Sequence, residues 1–292
     1  MAKIIGGIGT SHVPTIGAAY DNKKQNDPAW SPLFEGYEPV AKWLAEMRPD
    51  VMVMFYNDHA NSFFFDNYPT FALGVSPEHT FADEGAGKRP LPDIAGHSDL
   101  AIHIGEQLIN DEFDLSIFQN RPLDHGCNSP LSLLLPHAGG WPLALIPIEV
   151  NVLQYPLPTA ARCYKLGQAL KRAIESFPED LRVVVVGTGG LSHQVHGERS
   201  GFNNTEWDMT FLDLIVHDPA RLAAMKHVDF VRLGGAESVE TIMWLAMRGA
   251  LAPTIHEIHR NYYLATSTAM AVTLYENGGS EGDNSRDRGV AI

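Results

Sequence analysis

The sequence predicts an α/β fold: a single large domain with a mostly parallel or mixed sheet that is covered by helices on both faces. Short apolar runs rich in Val and Ile alternate along the chain with segments of helical pattern. The runs are nearly continuous rather than alternating, which is typical of strands buried on both faces. Strands that alternate with helices favour a parallel sheet. The 292 residues, of which 45% are hydrophobic, are enough to form a large core.

Six apolar runs are predicted to be strands: 3–8, 51–56, 115–118, 144–148, 183–186 and 269–274. Helical spacing predicts helices over 39–47, 100–109, 160–177, 205–216 and 235–249. The stretch 81–96 is rich in Gly, Pro and charge and is predicted to be a long loop. We expect one domain over residues 1–276 and a polar, disordered tail over 277–292.

Charge and cysteine content narrow the class of protein. The net charge is -14, with 35 acidic and 21 basic residues, which argues against a nucleic-acid binder. No apolar stretch approaches the length of a membrane span, and the N-terminus does not resemble a signal peptide. The cysteines, Cys127 and Cys163, do not form a disulfide framework. We therefore expect a cytoplasmic protein.

Three histidines directly follow predicted strands. His12, His59 and His193 stand in short polar turns after the runs 3–8, 51–56 and 183–186. Ligand crevices of open α/β sheets lie at the carboxyl ends of strands, so these turns should converge if the strands are neighbours. A single histidine after a strand is more often a capping or packing residue, but three at equivalent positions favour a site.

A fourth histidine, His125, follows the predicted strand 115–118 after a short loop, in a weaker copy of the same arrangement.

The carboxylate of the site is predicted to be Glu240. Helical spacing places it beside Met243, Trp244 and Met247, on an apolar stripe where a lone carboxylate is costly to bury. We favour a metal ligand, and the alternative is a buried ion pair with Arg248 or Arg232.

Two histidines and one carboxylate are typical of non-haem Fe(II) enzymes, although Zn(II) binds the same groups. There is no His-Glu-x-x-His run, which would have favoured a zinc protease. The segment 190–194 only half resembles the nucleophile turn of a serine hydrolase, because Gln194 stands where Gly is required. No nucleotide-binding glycine motif is present.

Six motifs together resemble one enzyme family: 9–14, 56–59, 82–85, 124–127, 187–194 and 239–244. They are similar to the catalytic β subunits of class II extradiol ring-cleavage dioxygenases, first to protocatechuate 4,5-dioxygenase and next to gallate dioxygenase. The resemblance runs from Met1 to about Tyr275. It implies that residues 1–276 are the catalytic domain.

The resemblance also implies a role for each matched residue. His12, His59 and Glu240 become the Fe(II) ligands, and His193 becomes the catalytic acid and base. His125 lines the pocket and can form a hydrogen bond to substrate or oxygen. Position along the chain had selected His12, His59, His193 and Glu240 before any role was assigned to them.

Asn57 and Ser267 match pocket positions that contact the hydroxyl and carboxylate groups of the substrate. The implied reaction opens protocatechuate with O2 by 4,5-cleavage to a carboxy-muconate semialdehyde. Gallate and 3-O-methylgallate remain alternative substrates, because the segment 197–207 resembles the gallate enzymes at least as well. A zinc hydrolase and a non-enzymatic binding protein on the same scaffold are alternatives from other classes.

A small helical α subunit in an α2β2 assembly is the implied partner, besides the small-molecule catechol-type carboxylate and O2. Gallate enzymes resemble the same catalytic chain with a small domain fused at the C-terminus. The sequence after Tyr275 is too short for that domain. This length favours a two-subunit enzyme.

Overall fold

The computed structural model describes residues 1–278, so most of the predicted tail (277–292) lies outside the described residues. Ten strands occur in the described part: β1 (Lys3–Thr10), β2 (Val51–Tyr56), β3 (Phe71–Gly74), β4 (Glu78–His79), β5 (Ile94–Ala95), β6 (Ser116–Phe118), β7 (Ala144–Val150), β8 (Arg182–Thr188), β9 (Ile255–Tyr263) and β10 (Met270–Asn277).

The same residues contain nine α-helices: α1 (Pro14–Asp21), α2 (Ser31–Met47), α3 (Ser98–Asn110), α4 (His125–Leu134), α5 (Ala160–Glu175), α6 (Thr205–His217), α7 (Pro219–Ala223), α8 (His227–Gly234) and α9 (Ile242–Gly249). Two 3-10 helices complete the elements, at Lys24–Asn26 and Ala236–Thr241. None of the helices within residues 1–278 is both long enough and apolar enough to cross a membrane.

Eight strands form one mixed sheet in the order β6-β3-β7-β2-β8-β1-β10-β9. Its centre, β7-β2-β8-β1, is parallel. Antiparallel pairing begins on either side, where β3 pairs with β7 and β10 pairs with β1. The short strands β4 and β5 pair with each other outside this sheet. The predicted α/β class with a mixed sheet is confirmed.

Helices cover both faces of the sheet. Alternate residues of β2 show the two layers, because Val51, Val53 and Phe55 belong to one hydrophobic core and Met52, Met54 and Tyr56 to the other. The first core packs against α3, α5, α6 and α9, and the second against α1, α2 and α4. Burial on both faces explains why the central strands have nearly continuous apolar sequences.

Glycines let α9 lie close to both α5 and β8. A Cβ atom on Gly167 of α5 would lie 1.9 Å from the carbonyl oxygen of Ala246, and one on Gly187 of β8 would lie 2.6 Å from that of Met243. Backbones at this separation leave no room for a side chain. The close packing fixes the segment before α9, which carries Glu240, against the end of β8.

The predicted strands all correspond to observed ones, and β2 has the predicted bounds. The predicted helix 39–47 begins earlier, at Ser31, because Pro39 is accommodated inside the helix. The predicted helix 235–249 was wrong in part. It is a 3-10 helix over Ala236–Thr241 followed by α9, so Glu240 lies just before the α-helix.

Candidate metal centre

The order of the central strands brings the predicted turns together. β8 lies between β1 and β2 in the sheet, and the three strands are parallel, so their carboxyl ends share one edge. His12 follows β1, His59 follows β2 and His193 follows β8. The predicted convergence of these three histidines is therefore observed.

Glu240 lies at the centre of this group. Its Oε2 atom is 3.2 Å from Nε2 of His12 and 3.9 Å from Nε2 of His193, and its Oε1 atom is 4.0 Å from Nε2 of His59. The ligand atoms of His12, His59 and Glu240 all lie within 4.8 Å of one another. Because metal–nitrogen and metal–oxygen bonds are about 2.0–2.2 Å long, ligand atoms of one ion are separated by roughly 3–4 Å. The spacing is close to this range, so the three side chains could hold a single ion.

Hydrogen bonds to the other ring nitrogen orient both histidines. Nδ1 of His12 is 2.9 Å from the hydroxyl oxygen of Thr188, and Nδ1 of His59 is 2.8 Å from Oδ2 of Asp124. Metal-binding histidines usually have such a partner, which fixes the ring and leaves Nε2 for the ion. Nε2 is the atom that faces Glu240 in both cases.

The carboxylate of Glu240 is held in its ionised form. Burial by itself would raise its pKa. The charge and hydrogen bond of His12, together with the charges of His193 and His59, lower the pKa well below its usual range. The backbone N–H of Gly190 also donates to Oε2 at 2.8 Å. A buried carboxylate surrounded by imidazole nitrogens and a backbone donor is a suitable ligand for a divalent cation.

The alternative of an ion pair between Glu240 and Arg248 or Arg232 was wrong. The guanidinium of Arg248 donates to the backbone carbonyl oxygens of Ile215, Ala252 and Pro253. Arg232 forms a surface pair with Asp229 on its own helix. Neither arginine contacts Glu240, because the carboxylate precedes α9 and extends toward the edge of the sheet.

His193 is held in one tautomer by the backbone. Its Nδ1 atom is 2.9 Å from the carbonyl oxygen of Leu191. A carbonyl can only accept, so Nδ1 carries the proton and Nε2 is left as a base. The preceding residue is anchored as well, because the backbone N–H and hydroxyl of Ser192 donate to Asp208 at 2.8 and 2.6 Å. The turn thus holds a basic imidazole nitrogen beside Glu240.

His125 is the first residue of α4, and its ring stacks on that of His59 with centroids 3.9 Å apart. Asn57 is fully buried, with its Nδ2 atom 3.1 Å from Nε2 of His59. Ser267 is exposed and precedes Thr268, which pairs with the backbone of His193. The structure therefore brings His125 and Asn57 into the group and leaves Ser267 at its rim.

Sequence reasoning missed the residues that support the ligands. Thr188 and Asp124 each contact a predicted ligand, and Glu84 contacts His125. All three stand inside motifs that carry the family resemblance, at 187–194, 124–127 and 82–85. Their presence in those motifs was a signal, but their partners become visible only in the folded chain.

The family described as "Catalytic LigB subunit of aromatic ring-opening dioxygenase" matches residues 6–273. A gallate dioxygenase from Pseudomonas putida is 57% identical over 196 residues, which are 67% of this chain and 58% of that protein. A 2,3-dihydroxyphenylpropionate/2,3-dihydroxicinnamic acid 1,2-dioxygenase from Klebsiella pneumoniae is 34% identical over 190 residues, 63% of this chain and 55% of that protein. The chain spans less than two thirds of the length of these relatives.

The comparisons confirm the resemblance to aromatic ring-opening dioxygenases. They do not support the finer label of class II or the closeness to protocatechuate 4,5-dioxygenase. Among the predicted substrates, they favour the alternative, gallate, over protocatechuate.

Proposed function

The chain belongs to the family of the catalytic LigB subunit of aromatic ring-opening dioxygenases, and on that premise we propose that it is the Fe(II)-binding part of an extradiol dioxygenase that opens gallate. The observation that carries the proposal is the group of His12, His59 and Glu240, whose ligand atoms lie within 4.8 Å of one another beside the imidazole of His193. The substrate is inferred from the 57% identity to a gallate dioxygenase.

The donor set supports Fe(II). Two neutral imidazole nitrogens and one carboxylate are the ligands of the facial triad, which leaves positions on the ion for other molecules. A bound Fe(II), held by His12, His59 and Glu240, would supply a Lewis acid for the reaction of the diol with O2. Zn(II) also accepts these donors, so the identity of the metal is part of the proposal.

Residues of this chain would accept and donate the protons that the reaction transfers. Nε2 of His193 is the basic nitrogen, because Nδ1 is bonded to the carbonyl of Leu191. We assign it the transfer of a proton from one diol hydroxyl and its later return to an oxygen of the product. An imidazole is suited to both steps near neutral pH. Asp208, through its hydrogen bonds with Ser192, holds the turn that carries this ring.

Overall, the carbon–carbon bond that breaks lies next to the diol, and both atoms of O2 enter the product. The ring supplies the electrons that reduce O2, so no further reductant is needed.

His125 and the buried Asn57 lie where they could form hydrogen bonds to the substrate, as the family resemblance implies. We keep Ser267 as a residue of the rim that contacts the carboxylate of the substrate.

A partner that covers the site is also part of the proposal. The two loops that follow β2 and β7 expose large apolar side chains, namely Phe64, Phe65, Leu153 and Tyr155. The side chain of Gln154 joins the loops, because it donates a hydrogen bond to the carbonyl oxygen of Phe65 at 2.9 Å. Exposed aromatic patches mark interaction surfaces. A small α subunit or a further segment of polypeptide could cover it, and a size measurement of the purified protein would distinguish a hetero-oligomer from a single type of chain.

The central experiment is anaerobic reconstitution with Fe(II) followed by O2 uptake with gallate, protocatechuate, 3-O-methylgallate and 2,3-dihydroxyphenylpropionate in parallel. We expect gallate to give the highest kcat/KM, with one O2 consumed per ring. A higher kcat/KM for protocatechuate would restore the first substrate prediction. If no diol supports O2 uptake in the presence or absence of a candidate small subunit, the enzymatic proposal fails and a binding protein becomes the better explanation.

A further inference from the structure

We propose that Glu84 is a positioning residue that fixes the tautomer and the ring orientation of His125 beside the metal centre. The inference rests on the proposed function, because it concerns the histidine that faces the substrate there. Glu84 stands in the segment 81–96, which was predicted to be a long loop. No role was assigned to its carboxylate by sequence reasoning.

The contact is direct. Oε2 of Glu84 lies 2.5 Å from Nδ1 of His125, and the two side chains are 28% and 13% exposed. Hydrogen bonds to charged groups are shorter and stronger than neutral ones. A carboxylate can only accept, so the proton of this bond resides on Nδ1, and Nε2 is the nitrogen left for other partners.

The ring of His125 has one face fixed by another residue. It stacks on His59 with an interplanar angle of 29° and a centroid distance of 3.9 Å. Its backbone is fixed too, because Asp124 caps α4 by accepting the N–H of Gly126 at 3.0 Å. Stacking alone does not distinguish the two ring nitrogens, since a half-turn of the ring preserves it. The hydrogen bond to Glu84 is the contact that distinguishes them.

The segment that carries Glu84 has its own supports. Asp83 accepts the backbone N–H groups of Gly85 and Gly87, both at 2.9 Å. Arg89 pairs with Asp21 of α1 at 2.7 and 2.9 Å and donates to the carbonyl of Asn128 in α4 at 2.9 Å. The segment that carries Glu84 is therefore joined to α1 and α4 through Arg89.

Glu84 and His125 both line one cavity. Its volume is about 530 Å³, and its walls include Pro14, Ala18, Glu84, Lys88 and His125. Cavities of a few hundred Å³ accommodate small organic ligands. The walls of this cavity contain His125 but none of the proposed metal ligands, so the cavity reaches the ring of His125 from the side of α1. Because a small misplacement of a catalytic group can reduce the rate about 100-fold, the orientation of this ring matters for turnover.

The test compares Glu84→Ala and Glu84→Gln with a control, Asp93→Asn, which removes an exposed carboxylate from the same segment. We expect Glu84→Ala to lower kcat about 10- to 100-fold with a smaller change in KM, as is usual for residues that orient a functional group. Glu84→Gln should recover part of the rate, since its amide oxygen can accept the same proton. Asp93→Asn should match the wild type.

A double variant shows whether Glu84 acts through His125. If it does, Glu84→Ala has no further effect in a His125→Ala background, whereas independent effects would multiply. Multiplied losses in the double variant, or a Glu84→Ala variant with the kcat of the wild type, would overturn the proposal.

A second measurement does not depend on turnover. In protein loaded with Zn(II) and labelled with 15N-histidine, NMR should show His125 protonated on Nδ1 in the wild type and in a mixture of tautomers in Glu84→Ala. An unchanged tautomer in Glu84→Ala contradicts the inference. If no diol is turned over, the proposed function fails, and this spectrum still decides the role of Glu84.

Discussion

One oxygen of Asp124, Oδ2, accepts two hydrogen bonds from His59, from the backbone N–H at 2.7 Å and from Nδ1 at 2.8 Å. Burial would raise the pKa of Asp124, but the hydrogen bond and charge of His59, together with the charge of His125, lower it to about 2. The carboxylate therefore stays ionised and keeps the proton of His59 on Nδ1. The buried carboxylate behind the ring determines that Nε2 of His59 faces Glu240 and the proposed metal site.

We expect Asp124→Asn to weaken metal binding about 10- to 100-fold, because the neutral amide holds the ring of His59 less firmly. Anaerobic competition with a coloured chelator would measure the affinity. Asp66→Asn, which changes an exposed aspartate on the loop after His59, is the control. Equal affinity in Asp124→Asn and the wild type would show that Asp124 has no part in orienting the ligand.

His12→Ala and Glu240→Ala should each purify without stoichiometric iron, since each removes one of three ligands from the proposed centre. Metal analysis after anaerobic reconstitution would measure this loss, and circular dichroism would establish that the variants remain folded. If either variant retains a full equivalent of iron at unchanged affinity, that residue is not a ligand.

His193→Ala should keep its iron and lose turnover. Removing a general base typically lowers kcat about 10²- to 10⁴-fold. Iron content and O2 uptake, measured on the same sample, separate the two effects. His217→Ala, which removes an exposed histidine from α6, should change neither quantity. Full turnover in His193→Ala would remove its acid–base role.

Glu149 makes stability depend on pH. The residue is fully buried at the carboxyl end of β7, and burial, with the charge of Asp58, raises its pKa well above the usual range. Above about pH 4.5 the unfolded chain has released a proton that the folded state still binds. Stability attributable to this group is thus greatest at low pH and falls by about 1.4 kcal/mol per pH unit until the folded pKa is reached.

Glu149→Gln should remove this dependence, so its free energy of unfolding relative to the wild type should increase as the pH is raised. Urea titrations between pH 5 and about pH 8 would measure the difference. Glu106→Gln, on the exposed face of α3, controls for the loss of one carboxylate. A difference that is constant with pH would contradict the argument.

Gly167→Ala should destabilise the fold by about 1–3 kcal/mol or more, because the new methyl group would lie against the backbone of α9 and force the helices apart. Gly105→Ala is the matched control. It is also a helix glycine, but its Cβ would meet only the side chains of Leu73 and Ile117, at 3.3 and 3.5 Å. Urea unfolding of both variants checks the prediction, and equal stability changes would contradict it.

The central strands could be predicted because burial on both faces leaves an apolar sequence with few interruptions. β9 escaped prediction for the opposite reason. It is an edge strand, Ile255–Tyr263, whose sequence contains runs of consecutive polar residues between apolar ones, and most of it is at least partly exposed. The helix α4 was missed because Gly126, Asn128 and Pro130 are typical of turns. Tertiary packing overrides their local preference.

The grouping of His12, His59, His193 and Glu240 could be predicted from strand ends and helical spacing. Glu240 nevertheless lies in a 3-10 helix, and not on the predicted apolar stripe of an α-helix. The partners Asp124, Thr188 and Glu84 could not be predicted, because hydrogen bonds between distant segments leave no periodic pattern in the sequence.

β8 separates the two strands that precede His12 and His59, and Glu240 lies far from both along the chain. No short fragment can therefore hold all three proposed metal ligands, and the complete group requires the middle of the sheet to be assembled. An ion that binds only the assembled protein must stabilise it by mass action, in proportion to the logarithm of the free metal concentration. Chelation should thus lower the midpoint of thermal unfolding for the whole domain, and the supply of metal in the cell would influence how long the chain survives proteolysis.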